Sequence, residues 1–278
     1  MIRKDSPAKL NLYLRVLRKR PDGYHDILSL MQRISLSDEM TFSHRGGGIV
    51  LKCPGTALPE DEGNIIHRAA SAFLNRIAAS TAVEITLLKR IPVAAGLGGG
   101  SSNAATTLVT LNEMFENPLS RPELMTMGAG LGADVPFFIH EETAWASGIG
   151  DRLSAAPPLP PFWYVLVNPG FEVSTKWVYQ GLNLGLTNEA INYSIPRFYT
   201  QEELIRGLLN DLENVTIGRY PVLNRIKNLL LESGAGGALM SGSGPTVFGV
   251  FTDERSARSA EALLTRAGRW SVFRAHSL

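Results

Sequence analysis

Residues 92–105 read Pro-Val-Ala-Ala-Gly-Leu-Gly-Gly-Gly-Ser-Ser-Asn-Ala-Ala, a glycine-rich run set between a strand pattern and a helix pattern. Before it, Val83, Ile85 and Leu87 alternate with Glu84, Thr86, Leu88 and Lys89, which predicts a half-buried strand with one apolar slip. After it, Ala104, Leu108, Leu111 and Phe115 recur at helical spacing, and Asn117-Pro118 closes the helix. Glycines let a backbone approach an anion closely. A helix N-terminus adds unsatisfied N–H groups and partial positive charge. A tight turn with a serine N-cap would need fewer glycines, because each costs backbone entropy on folding. The run predicts a phosphate cradle.

Spacing separates the kinds of phosphate loop. A loop ending in Gly-Lys-Ser/Thr sends its lysine to the terminal phosphates, but here Ser101 follows Gly100 and no lysine precedes the helix. A dinucleotide fingerprint needs glycine at its first, third and sixth positions. Counted from Gly96, the sixth is Ser101, and no acid follows about twenty residues on. The protein-kinase set fails as well, since no His-Arg-Asp or Asp-Phe-Gly lies downstream.

The rest of the chain bounds the function. At 278 residues two domains are expected, and 44% hydrophobic content supplies apolar mass for their cores. A formal net charge of +1 gives no reason to expect a nucleic-acid or membrane partner. Cys53 is the single cysteine, so no intrachain disulfide forms, and with no leader-like segment a cytoplasmic location is expected. The five histidines lack metal-ligand spacing.

Along the chain, Ala8, Leu10, Leu12, Leu14 and Val16 alternate with Lys9, Asn11, Tyr13 and Arg15, a strand with Lys9 and Asn11 together on its polar face. Pro21-Asp22-Gly23 punctuates a turn before a second apolar strand over 27–36. Asn64 opens a helix with Ile65, Ala69, Phe73 and Ile77 on its core face, and Ser120-Arg-Pro-Glu123 is a capping box. Pro157-Pro-Leu-Pro-Pro161 is the strongest break and predicts domains 1–156 and 157–278. A buried strand over 162–167 follows, with helices near 176–182, 201–209, 219–232 and 254–267. A second glycine-rich loop around Ser241-Gly242-Ser243-Gly244 leads into an apolar strand. Each half mixes strands and helices without steady alternation, which argues α+β.

The pattern Pro-x-x-x-Gly-Leu-Gly-Gly-Gly-Ser-Ser-x-Ala resembles the signature of the GHMP kinases, the superfamily of galactokinase, homoserine kinase and mevalonate kinase. Ser6-Pro7-Ala8-Lys9-Leu-Asn11, Pro21-Asp-Gly-Tyr24-His25, Gly132-Ala-Asp134-Val-Pro136 and Gly242-Ser-Gly-Pro-Thr246 extend the resemblance almost end to end. They narrow it to the branch that phosphorylates a cytidine diphosphate sugar alcohol for isoprenoid precursors.

The resemblance implies an N-terminal ribosomal-protein-S5-like domain, a ferredoxin-like C-terminal domain, and ATP with Mg2+ meeting the alcohol between them. It implies Asp134 as catalytic base and Lys9 as its cationic partner, where residue type alone leaves Asp134 equally an N-cap and Lys9 a solvated charge. It assigns Asn64, Lys89, Pro92, Gly96, Leu97, Gly98, Gly99, Gly100, Ser101 and Ser102 to ATP, although Asn64 also reads as a plain N-cap and Lys89 as a surface charge. Asn11, Tyr24, His25, Thr175 and Tyr179 fall on the substrate side, with Tyr24 and His25 at the cytosine and Tyr179 as the second aromatic face. The helix after the loop offers no acid before Glu113, so no protein metal ligand is assigned. A monomer or homodimer is expected. The alternatives are a GHMP kinase of the homoserine or mevalonate type, or a catalytically silent nucleotide-binding regulator on the same fold. The presence of both Lys9 and Asp134 weighs against the regulator.

Overall fold

The computed structural model describes residues 1–79, 81–182 and 194–278. The chain packs into two compact units. One comprises Met1–Ala8, Ser37–Val93 and Gly98–Glu142; the other comprises Lys9–Leu36, Ala94–Leu97 and Thr143–Leu278. Compactness therefore does not follow a single cut at 156/157. The cause is two long strands, β1 (Ile2–Lys19) and β2 (His25–Arg45), each of which runs through both units. At 18 residues, β1 has a contour of about 60 Å, more than one small core can cover.

In the first unit, residues 39–45 of β2 pair antiparallel with β4 (Ala82–Leu88), and β3 (Ile49–Lys52) pairs parallel to β4. Val83, Ile85 and Leu87 are fully buried, as their alternation predicts. Helices α1 (Ile65–Arg76), α2 (Gly99–Met114), α3 (Arg121–Leu131) and α4 (Val135–His140) pack together, with α1 also against β3. The buried face of α1 is Ile66, Ala69, Ala70, Phe73 and Leu74, one step round from the predicted Ile65 and Ile77. Glu123 accepts hydrogen bonds from the Ser120 N–H and hydroxyl at 2.9 and 2.8 Å, so the predicted capping box forms. Gly128 lets α3 lie close on α4, since a Cβ there would press into Val135 and Ile139.

In the second unit, β5 (Ala144–Ser147) pairs with β2 at Ser29–Met31, β6 (Arg152–Ala155) with β5, and β8 (Leu209–Asn210) with β1 at Tyr13–Leu14. A separate antiparallel sheet has the order β11-β7-β10-β9, from β7 (Trp163–Asn168), β9 (Gly237–Met240), β10 (Val247–Phe251) and β11 (Ser271–His276). Tyr164, Val165, Leu166 and Val167 are all fully buried, which is why β7 reads as a continuous apolar run. Helices α8 (Val222–Glu232) and α9 (Glu254–Ala267) pack on this sheet, α9 being capped by the Asp253 carboxylate at Ser256 N–H. Short helices α5 (Thr175–Gln180), α6 (Gln201–Gly207) and α7 (Glu213–Arg219) complete the unit. Among the described residues no helix is long and apolar enough to cross a membrane.

Candidate active site

The glycine run builds the N-terminus of α2. Gly98, the N-cap, has φ +69° and offers no side-chain cap, so the helix begins inside the run and not at a serine. The first N–H groups of an α-helix have no intrahelical acceptor, and here glycines present them without a Cβ in the way. Ser101 and Ser102 occupy the first turn but differ in access. Ser102 is fully buried and its Oγ accepts from Ser6 Oγ at 2.8 Å. Ser101 is partly exposed, and a Cβ added to Gly132 would lie 3.8 Å from its Oγ. Ser101 therefore faces the segment that leads to Asp134.

Lys89 is not the surface charge its strand position suggests. Its side chain is 9% exposed and its Nζ pairs with Asp38 at 2.5 Å. Burial pushes the ammonium below the ordinary lysine value, and the Asp38 carboxylate pulls it back up. The ammonium lies under the loop, 2.9 Å from where a Cβ on Gly99 would sit. Asn64 does what an N-cap does: its Oδ1 accepts from Ile66 N–H at 3.0 Å, and its Nδ2 donates to the Pro59 carbonyl at 2.8 Å. Asn64→Ala should lower stability by about 1 kcal/mol, read as a fall in Tm, whatever it does to ATP binding.

In the second unit, Lys9 and Asn11 form a buried polar pair. They are 4% and 3% exposed, and Lys9 Nζ donates to Asn11 Oδ1 at 2.6 Å. Asn11 Nδ2 donates to Ser29 Oγ, which donates to the Tyr13 carbonyl, both at 2.8 Å. The expectation of a solvated strand-face charge fails because both faces of β1 are covered here. Lys9 N–H also donates to the Leu97 carbonyl at 2.9 Å, so the strand that carries the lysine holds the loop at 94–97. The second glycine-rich loop closes on the same place. Ser241 Oγ donates to the Gly96 carbonyl at 2.9 Å, and Gly96, at φ +77°, lies where any Cβ would meet the Ser241 carbonyl.

Tyr24 stands 61% exposed on the turn between β1 and β2, held by an Asx turn in which its N–H donates to Asp22 Oδ1 at 3.0 Å. His25 begins β2 and is buried, with ring centroid 5.1 Å from Tyr179. Burial, helped by the Lys19 charge, holds this imidazole below its ordinary pKa. A base stacked between two rings needs them about 7 Å apart, so no base fits between His25 and Tyr179. Of the three rings, that of Tyr24 is the exposed one. Thr175, in the first turn of α5, shares a hydrogen bond of 2.9 Å with Ser243 Oγ and so touches the second glycine-rich loop.

Asp134 stands at the N-cap position of α4 with φ −84° and ψ −10°, yet its side chain makes no capping bond. The acid at the end of α2, Glu113, pairs with Lys4 at 2.7 Å. Among the described residues no group of three or more His, Cys, Asp or Glu could cage a metal ion.

Asp38, Asn103, Ser6, Ser29 and Ser241 received no role from sequence, although Ser6, Asn103 and Ser241 lie in or beside its motifs. For Asp38 a signal existed. Ile34, Leu36, Asp38, Met40 and Phe42 share one phase of β2, and an acid in an apolar phase marks a buried, partnered carboxylate.

Comparison with known proteins agrees with this geometry. Residues 64–142 match the GHMP kinases N terminal domain and residues 198–269 the GHMP kinases C terminal domain. The chain is 58% identical over 278 residues, all of both chains, to the 4-diphosphocytidyl-2-C-methyl-D-erythritol kinase of Syntrophus aciditrophicus. The chain belongs to that kinase family. The namesake of Syntrophotalea carbinolica is 53% identical over 96% of each chain. A crystal structure of 4-(cytidine 5'-diphospho)-2C-methyl-D-erythritol kinase, 33% identical, covers 99% of both chains at a TM-score of 0.83. The mevalonate kinase of Methanococcus jannaschii shares the fold alone, at 13% identity and a TM-score of 0.74 over 100% of this chain and 98% of that one. The α+β GHMP kinase fold read from the sequence is thus the fold found, and a small-molecule kinase of this family uses ATP.

Proposed function

We propose that this chain transfers the γ-phosphoryl group of ATP to the 2-hydroxyl of 4-(cytidine 5'-diphospho)-2-C-methyl-D-erythritol, giving the 2-phosphate and ADP in non-mevalonate isoprenoid synthesis. The observation that carries it is α2, a 16-residue helix whose N-terminus is built from glycines and has no side-chain cap, in a chain of this family. Such a terminus binds phosphate.

Phosphoryl transfer needs positioning, charge stabilisation and a destination for one proton. The substrate oxygen attacks the γ-phosphorus, its proton passes to the Asp134 carboxylate, and the bond to ADP breaks. Lys9, fixed by Asn11, offsets negative charge on the transferring group. Asn11 would contact the sugar-alcohol side, and Thr175 would belong to the substrate site as well. Tyr24 supplies the stacking face for cytosine, with Tyr179 opposite. Magnesium suits this site as a companion of the nucleotide. The partly exposed Ser101 hydroxyl would reach it through the phosphates, consistent with a hard cation that keeps most of its waters. When bound, it neutralises developing charge on the phosphates.

A coupled ADP-release assay tests the substrate. The cytidine diphosphate alcohol should turn over at least about 100-fold more efficiently than its uridine counterpart, because a base-reading site leaves polar groups unpaired with the wrong ring. Turnover of homoserine with none of the cytidine compound would overturn the assignment.

A further inference from the structure

We propose that Asp38 is a positioning residue for nucleotide binding: a buried carboxylate that grips the first turn of α2 through Lys89 on one side and through Asn103 on the other. The proposal rests on the kinase reading above for its ligand, ATP.

Asp38 is fully buried, and each of its oxygens has two donors. Oδ1 accepts from the Arg90 and Ile91 N–H groups at 2.7 and 2.8 Å, pinning the chain as it leaves β4 toward the loop. Oδ2 accepts from Lys89 Nζ at 2.5 Å and Asn103 Nδ2 at 3.0 Å. Lys89 is thereby held under Gly99, and Asn103 sits one helical turn further on. The second N–H of the same Asn103 amide reaches Ser6 Oγ at 2.9 Å, and Ser6 donates to Ser102 Oγ at 2.8 Å. Every hydrogen of the Asn103 amide is used, and each hydroxyl accepts from the group nearer Asp38. The carboxylate thus sets a lysine ammonium against the first turn of α2 and a buried serine hydroxyl within it.

A buried ion pair is a poor device for stability alone, since apolar residues of equal volume often serve as well. One that fixes a cation beneath a phosphate-binding helix terminus has a reason to be charged.

The test is ATP titration by calorimetry on the full chain with no acceptor present, so that it does not depend on which alcohol is phosphorylated. In D38N the amide oxygen can still accept from Arg90 and Ile91, while its NH2 group confronts the Lys89 and Asn103 donors. ATP affinity should fall at least about tenfold and the KM for ATP should rise to match, while the KM of the alcohol stays within about twofold of wild type. A folded D38N with wild-type ATP affinity, or one in which both KM values rise equally, would overturn the proposal. Asn103→Ala keeps the Lys89–Asp38 pair and serves should D38N fail to fold. A weakening of ATP binding of about threefold or more supports the second grip, and unchanged affinity refutes it. If wild type binds ATP but leaves the cytidine compound untouched, the substrate assignment fails while the role of Asp38 stands.

Discussion

Asp134→Asn should lower kcat by about 10²–10⁴ and leave the KM for ATP within a factor of two. The residue stands at the start of α4, where an aspartate ordinarily caps the helix. Its φ of −84° and ψ of −10° are helical, however, and its carboxylate makes no capping bond. The helix is held by the buried Val135, Pro136, Phe137, Phe138 and Ile139, and by the close approach that Gly128 permits. The substitution is nearly isosteric, removes the proton acceptor and leaves those apolar contacts in place. Thermal melting should therefore match wild type while turnover collapses. A drop of only a few-fold in kcat, or a lowered Tm that accounts for the loss, would return Asp134 to a structural role.

Gly96→Ala should destabilise the fold by about 2–4 kcal/mol and abolish turnover in the same variant. Two costs combine. The φ of +77° is a left-handed conformation that alanine adopts only with strain, and its Cβ would be driven into the Ser241 carbonyl. Backbone on both sides cannot rotate away as a flexible side chain could. The hydrogen bond from Ser241 Oγ to the Gly96 carbonyl, 2.9 Å, would be displaced with it. Gly130→Ala is the control. Nothing lies within 4 Å of a Cβ there, in the last turn of α3, and the change should raise stability by up to about 1 kcal/mol without touching activity. Urea unfolding of the two variants against wild type reads both effects. Equal stabilities would show that the 94–97 segment can shift away from the second glycine-rich loop.

Features set by neighbours within a few residues were legible in the chain. The Ser120–Glu123 capping box, the asparagine cap of α1, the Pro21-Asp22-Gly23 turn and the span of α9 each follow from bonds that close locally. The glycine run was legible too, because three adjacent glycines at a helix start have few other uses. Where periodicity slipped, it slipped by one residue, as at Ile65 and Ile66, since a helical face is broad.

Alternation assigned Lys9, Asn11 and Lys89 to polar faces, and burial reversed the meaning of that assignment. A strand pattern states which side chains share a face; it is silent on what covers the face. Lys89 finds its carboxylate 51 residues away, and the Asn103–Ser6 contact spans 97. His25 and Tyr179, 154 residues apart, meet at 5.1 Å, while the Tyr24 ring stays exposed. Taken alone, then, the sequence determined a helix start built from glycines, because that follows from local backbone geometry, and its motifs carried the resemblance that named the kinase fold. Only tertiary structure decided that the glycine run is gripped from beneath by Asp38 and braced at Gly96 by a second loop. Burial of charge and close backbone approach depend on segments far apart in the chain, and packing alone brings those together.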